Sequence, residues 1–302
     1  MWFLRCLILS LALATACWTG ANETAAQTPV KVVASFSILA DMVSNVGGDA
    51  VQVTALVGPN GDAHVYQPSP ADARAIAAAN LIVLNGWGFE GWMPRLIDAT
   101  GFTGVRVVAT DGLSPQPLVT RRTQAPTPDP HAWQDVQNAM VYVRNIARGL
   151  SEADPERRDD YRVRADAYLA KLRDLDAWVV AQLSAIPEAK RKVVTAHDAF
   201  EYFGRRYGVT FDAPIGLSTD SEAAAKDMAR LIQQIRAENI RAVFIENMSD
   251  PRLLRQLASE SGAAIGGKLY SDALSDPAGP AASYIELMQH NVRELVVALA
   301  KR

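Results

Sequence analysis

The sequence predicts an α/β protein of two doubly wound parallel-sheet lobes joined by one long rigid helix. Three observations predict it: short β-branched runs alternate with helical patterns in the first half, the same alternation returns after Lys190, and an unbroken helical stripe lies between the two. Continuous apolar strands separated by helices imply parallel sheets covered on both faces, because a strand with one wet face would alternate apolar with polar. On this reading the chain divides into a leader 1–26, a first lobe 27–153, a linking helix 154–187 and a second lobe 188–302.

The leader carries Arg5, an apolar stretch from Cys6 to Ala14, and small residues ending Thr24-Ala25-Ala26. A basic start, an apolar core too short to span a bilayer and a small-residue cleavage site are the order of a secretory signal, so the expected location is the periplasm. Cys17, preceded by Ala14-Thr15-Ala16, also resembles a weak lipoprotein box, which would leave the mature chain lipid-anchored; simple cleavage near Ala26 is the preferred alternative. Both cysteines, Cys6 and Cys17, fall in this segment, so a mature chain cut near Ala26 folds without disulfides.

The strand runs of the first lobe are Val30–Ser35, Val51–Leu56, Leu81–Leu84 and Val105–Val108, with a helical pattern from Ile38 to Val46 after the first. Residues 114–130 hold Pro115, Pro117, Pro126, Pro128 and Pro130, a composition that resists helix and sheet and marks a surface loop, either a plain connector or a gate. From Pro155 to Ile186, apolar side chains at Tyr161, Ala165, Tyr168, Leu172, Leu175, Val179, Leu183 and Ile186 recur in steps of three and four, forming one stripe of a long helix. Such a helix either spans both lobes as a strut or packs inside one domain. The second lobe shows strand runs at Lys192–Ala196, Val209–Phe211 and Ala242–Ile245.

About 275 residues past the leader suffice for one large or two ordinary domains, and 49% apolar composition permits real cores. With Lys+Arg 30 against Asp+Glu 33, the net charge is −3 and no basic block stands out, which argues against nucleic acid as a partner.

The chain holds four histidines, and three of them lie at strand exits or helix starts. His64 lies in the turn-rich loop Gly58–Pro70 after the second strand run. In an open parallel sheet ligands bind outside the carboxyl ends of the strands, so a loop there points an imidazole into the crevice. His131 is expected to open a helix from Ala132 to Leu150, whose positive dipole end would keep the ring neutral. His197 follows the strand Val193–Ala196, and Asp272 follows Gly267–Ser271. Three imidazoles and one carboxylate suit a tetrahedral zinc site, and two candidate ligands come from each lobe. Glu246, Asp198 and Asp135 are candidate carboxylates behind those ligands. His290, in a C-terminal amphipathic pattern, is expected to be structural. Gly86-Trp87-Gly88-Phe89-Glu90-Gly91 fits G-x-G-x-x-G, with Asp111 about twenty residues on. Trp87 and Phe89 crowd a turn that must admit a pyrophosphate, so a dinucleotide site is the minor reading.

Val33-Ala34-Ser35-Phe36-Ser37-Ile38, His64–Pro70, Leu84-Asn85-Gly86, Asp129–Trp133, Thr195–Phe200, Phe244-Ile245-Glu246 and Tyr270–Leu274 together resemble the zinc/manganese solute-binding proteins of bacterial ABC importers, the cluster A-I group, and most closely its periplasmic zinc-binding AztC-type members. The resemblance implies two lobes joined by a rigid helix, metal between them, and delivery to a membrane permease. Its four ligand positions fall on His64, His131, His197 and Asp272, and a histidine at the third favours Zn²⁺ over manganese. Many zinc members carry a histidine-rich loop before the second ligand; residues 120–130 here contain no histidine. The expectation is a monomeric receptor, not an enzyme. The alternative is an exported zinc hydrolase, whose metal would keep an open position for water.

Overall fold

The computed structural model describes residues 28–118, 127–220 and 223–300. The leader, including Cys17, and the middle of the Pro-rich loop lie outside the described residues.

The first sheet contains β1 (Val30–Phe36), β2 (Val51–Val57), β3 (Leu81–Leu84) and β4 (Val105–Val108) in the order β2-β1-β3-β4, all parallel. Because the first strand is internal, the crossovers run to both sides and helices cover both faces, as the continuous apolar runs require. Alternation of side chains sorts each strand between two cores: Val32, Ala34 and Phe36 of β1 enter the main core, whereas Val33 enters a smaller one with Ile82, Leu56 and Ile76. Helices α2 (Pro70–Ala77) and α3 (Met93–Thr100) close that smaller core through Ile76, Met93 and Ile97. Helices α1 (Ser37–Gly47) and α4 (Val136–Ala153) lie on the other face. Within the Pro-rich segment, β5 (Pro117–Leu118) and β6 (Thr127–Pro128) pair as a two-residue antiparallel ribbon.

Helix α5 (Arg158–Ser184) is 27 residues long, about 40 Å at 1.5 Å per residue. The stripe residues from Tyr161 to Leu183 are its buried face, joined by Leu169 and Asp176, and Ile186 is buried just past its end. It packs against α1 and α4 of the first lobe and against α6 (Glu201–Tyr207) and α9 (Tyr284–Ala300) of the second. Asp176 accepts hydrogen bonds from the Tyr207 hydroxyl (2.9 Å), from Arg206 and from Gln137 (3.3 Å), so one carboxylate on α5 joins α6 to α4.

The second sheet orders β7 (Lys192–Val194), β8 (Thr210–Asp212), β9 (Ala242–Glu246) and β10 (Ala264–Leu269) as β10-β9-β7-β8, again all parallel. Helices α7 (Ala225–Glu238) and α8 (Pro251–Ser261) bury Leu231, Ile235, Leu254 and Leu257 against Val194 and Val243 on its outer face. Strand β10 was not legible beforehand. It runs Ala264-Ile265-Gly266-Gly267-Lys268-Leu269, and its register with β9 slips between Ile265 and Lys268.

The main core runs without a break through both lobes and α5. Polar bonds also cross between lobes: Trp133 Nε1 and Gln134 Nε2 both donate to the Ser271 carbonyl (3.0 and 2.8 Å), and the Tyr284 hydroxyl donates to the Trp133 carbonyl (2.6 Å). No helix among the described residues is long and apolar enough to cross a membrane.

Candidate metal centre

All four sequence-predicted ligands converge. One donor atom from each of His64, His131, His197 and Asp272 lies within 4.8 Å of the other three. Each residue stands at the carboxyl end of a parallel sheet: His64 after β2, His131 beyond β4, His197 after β7 and Asp272 after β10. The two crevices thus face each other across the lobe interface.

Asp272 is the centre of the group. Its Oδ2 is 3.1 Å from His197 Nε2 and 3.3 Å from His64 Nε2, its Oδ1 is 3.8 Å from His131 Nε2, and the Nε2 atoms of His64 and His131 are 3.3 Å apart. Bonds of about 2.0–2.1 Å around a tetrahedral Zn²⁺ place neighbouring donors about 3.3 Å apart, so these spacings fit one shared cation. The chemistry of the set also suits a cation. Three imidazole nitrogens and a carboxylate face one another, and Asp272 Oδ1 is buried with no hydrogen-bond donor.

Two rings are oriented from behind. His131 Nδ1 lies 2.8 Å from Asp129 Oδ1, which also accepts from the His131 backbone N–H (2.9 Å). His197 Nδ1 lies 2.6 Å from Glu246 Oε2, while Glu246 Oε1 accepts from the N–H groups of Ala196 (2.7 Å) and His197 (3.1 Å). A carboxylate on Nδ1 fixes the tautomer and leaves the Nε2 lone pair for a metal. The Ser271 hydroxyl donates to Glu246 Oε2 (2.8 Å), which ties the loop of Asp272 to the carboxylate at the end of β9 that backs His197.

Charge follows geometry. Burial works against charge on His197, yet the carboxylates of Glu246 and Asp272 overcome it and hold its pKa well above the usual histidine value. Burial likewise opposes ionisation of Asp272, but His197 and His131 draw its pKa well below the ordinary carboxylate range. Burial lowers the His64 pKa. Asp198 is pushed by burial up to about 7, against the pull of His197.

Two expectations change, and one residue joins the site. His131 does not open an α-helix: a 3₁₀ turn, Ala132–Gln134, intervenes, and α4 begins after Asp135, so the carboxylate of Asp129 and not a helix dipole conditions the ring. Asp135 does not back a ligand. Its side chain caps α4 by accepting from Gln137 N (2.8 Å), as an N-cap aspartate does. Asp129 was the missed residue; the signal was an aspartate two positions before a histidine, spaced to turn back on both its N–H and its ring.

The glycine-rich turn has a different use. Gly86 and Gly88 adopt φ of +98° and +81°, and the nest of N–H groups they make is filled by Glu90, whose Oε1 accepts from Asn85 N (2.7 Å) and Oε2 from Gly86 N (3.3 Å). The place a pyrophosphate would take is held by the chain's own carboxylate. Phe89, delivered by the same turn, stands edge-on to His64 at 4.7 Å and to His131 at 5.9 Å, forming the apolar wall of the centre. His290 lies elsewhere, bonded to the Lys268 carbonyl (2.9 Å) and packed on Tyr270.

Comparison with known proteins places this arrangement. The profile of the family described as ZnuA, zinc-uptake complex component A periplasmic, matches residues 32–298. The chain belongs to that family. It is 34% identical over 272 residues to the manganese-binding lipoprotein MntA of Halalkalibacterium halodurans, covering 90% of this chain and 89% of that protein. It is 32% identical over 283 residues to the iron-binding protein YfeA of Yersinia pestis, covering 94% and 90%. The periplasmic zinc binding protein TroA from Treponema pallidum superposes with a TM-score of 0.85 at 31% identity, covering 91% of this chain and 100% of that one. A manganese-bound periplasmic metal binding protein from candidatus liberibacter asiaticus superposes with a TM-score of 0.80 at 31% identity, covering 89% and 99%. The family is one of metal-binding receptors of ABC importers, not enzymes.

Proposed function

We propose that this chain is an exported receptor that captures Zn²⁺ between its lobes on His64, His131, His197 and Asp272 and presents it to the permease of an ABC importer. The observation that carries the reading is the meeting of three imidazole nitrogens and one carboxylate oxygen, from four separate segments, within 4.8 Å. Related proteins are named for manganese, iron and zinc, so the choice of metal rests on the donors. A nitrogen-rich set of four suits Zn²⁺, whereas manganese favours oxygen ligands in octahedral sites.

Four protein ligands close the tetrahedron, and both Glu246 oxygens are already engaged, by two backbone N–H groups, Ser271 and His197. Neither an open metal position nor a Glu246 base is available to hydrolysis, which leaves the hydrolase reading unfavoured. We assign the first lobe to residues 27–153, the linking helix to 154–187 and the second lobe to 188–302. The receptor acts as a monomer in the periplasm, and a lipid on Cys17 is the alternative to cleavage near Ala26.

Titration of zinc, manganese and ferrous iron into the purified protein, beside His197→Ala and Asp272→Ala, tests this reading. The expected result is one zinc per chain, tighter than the other two metals and weakened at least tenfold by either substitution. Equal affinity for all three metals, or substitutions without effect, would refute it.

A further inference from the structure

His64 differs from its three partners. Its side chain is 4% exposed where those of His131, His197 and Asp272 are 0%, and it stands on a turn-rich loop beyond β2. A cavity of about 320 Å³ opens on it, walled by Trp87, Phe89 and Pro128 of the first lobe and by Leu217 and Ser218 of the second. Any ion leaving by this mouth passes His64.

The loop of His64 is held from the main chain. Asp62 Oδ1 accepts from the His64 N–H at 2.9 Å, and Asp62 Oδ2 accepts from the Thr219 hydroxyl at 2.6 Å. Thr219 belongs to the second lobe, 157 residues away. The segment that carries it is anchored beside another ligand: Ile215 forms a parallel bridge with His197, and the Gly216 carbonyl accepts from Asp198 N (3.2 Å). A run of five residues therefore reaches from the strand exit of His197 to the turn beneath His64. The two contacts couple a ligand of one lobe to a ligand of the other, independently of the ion.

We propose that the Thr219 hydroxyl, acting through Asp62, is a positioning group that holds His64 in ligating geometry, so that the second lobe sets the rate at which metal escapes past a ligand of the first. This rests on the metal-receptor reading and adds the element that governs release. A hydrogen bond from a hydroxyl to a carboxylate is charge-assisted, and its loss at a half-buried site corresponds to about a tenfold change in rate.

The test uses Thr219→Val, which removes the hydroxyl at nearly constant volume, and Thr219→Ser, which keeps it. Zinc-loaded protein is mixed with excess chromophoric chelator in a stopped-flow cell, and zinc affinity is measured by competition in wild-type and His64→Ala backgrounds. Thr219→Val is expected to release zinc about tenfold faster, Thr219→Ser to stay within about twofold of wild type, and Thr219→Val to add nothing to His64→Ala. Release by Thr219→Val within threefold of wild type, or an equal loss of affinity with and without His64, overturns the proposal. Wild-type protein that takes up no zinc refutes the receptor reading instead, so the two failures are distinguishable.

Discussion

Replacing Glu246 with glutamine perturbs the centre without touching a ligand. The carboxylate is surrounded by donors: the N–H groups of Ala196 and His197 on Oε1, and the Ser271 hydroxyl with His197 Nδ1 on Oε2. A glutamine has one acceptor end. If its oxygen faces the two backbone groups, its amide hydrogens meet the ring, and His197 must move its proton to Nε2, the atom that faces the other ligands. If the amide turns over, two buried backbone N–H groups lose their acceptor, at about 1–3 kcal/mol each. Either orientation disfavours the binding form. Loss of such a supporting partner lowers metal affinity about 10–100-fold, or about 1.4–2.8 kcal/mol. Competition with a chromophoric chelator at pH 7.5 measures it, with circular dichroism as the check on fold. An affinity within threefold of wild type in a correctly folded Glu246→Gln protein refutes the claim that Glu246 sets the His197 tautomer.

Zinc affinity should rise with pH through the neutral range. The raised pKa of His197 means the metal-free protein holds a proton there that zinc must displace, whereas His64, lowered by burial, has already lost its own; flat affinity between pH 5 and 8, with no proton release by calorimetry in two buffers, contradicts this. Asp41, which accepts from Tyr284 N (3.0 Å) and the Tyr168 hydroxyl (3.5 Å) where α1, α5 and α9 meet, is raised by burial to about 6. A carboxyl raised on folding favours the folded state at low pH, and that advantage, about 3 kcal/mol, is lost as pH rises from about 4 through 6. Asp41→Asn should flatten the component of urea stability that falls between pH 4 and 7, and an unchanged pH profile counts against it. Gly149→Ala places a methyl 2.1 Å from Val107 Cγ2, where α4 lies on β4; overpacking of this kind costs about 1–3 kcal/mol. A urea midpoint equal to wild type refutes the tight packing there.

Much of this was legible because the relevant signals are local. Val32-Val33-Ala34 and Leu81-Ile82-Val83 are apolar on both faces, and both faces are covered. The stripe on α5 reads directly from residue spacing. The ligands were legible for a topological reason: parallel strands leave their carboxyl ends open, so a histidine or aspartate just past such a strand points into a crevice. What stayed hidden depended on facing partners. Asp129 lies two residues before His131 and Asp135 four after it, and the 3₁₀ turn on the Asp135 side decides which one meets the ring. Strand β10 was obscured by Gly266 and Gly267, which lack side chains to report burial and coincide with the register slip. The role of Glu90 depends on a left-handed turn that folds its carboxylate back on preceding N–H groups, which the G-x-G-x-x-G spacing alone does not reveal.

Helix α5 joins the halves of the molecule along a continuous apolar seam, with no slack tether between them. A clamshell that swings wide would have to tear that seam, exposing Tyr168, Leu172 and Leu175 to water at roughly 1.5–3 kcal/mol per large side chain. Small displacements of rim loops around a frame that stays put avoid that cost. Loading then requires little reorganisation, and a docking partner must recognise altered edges, not a changed outline.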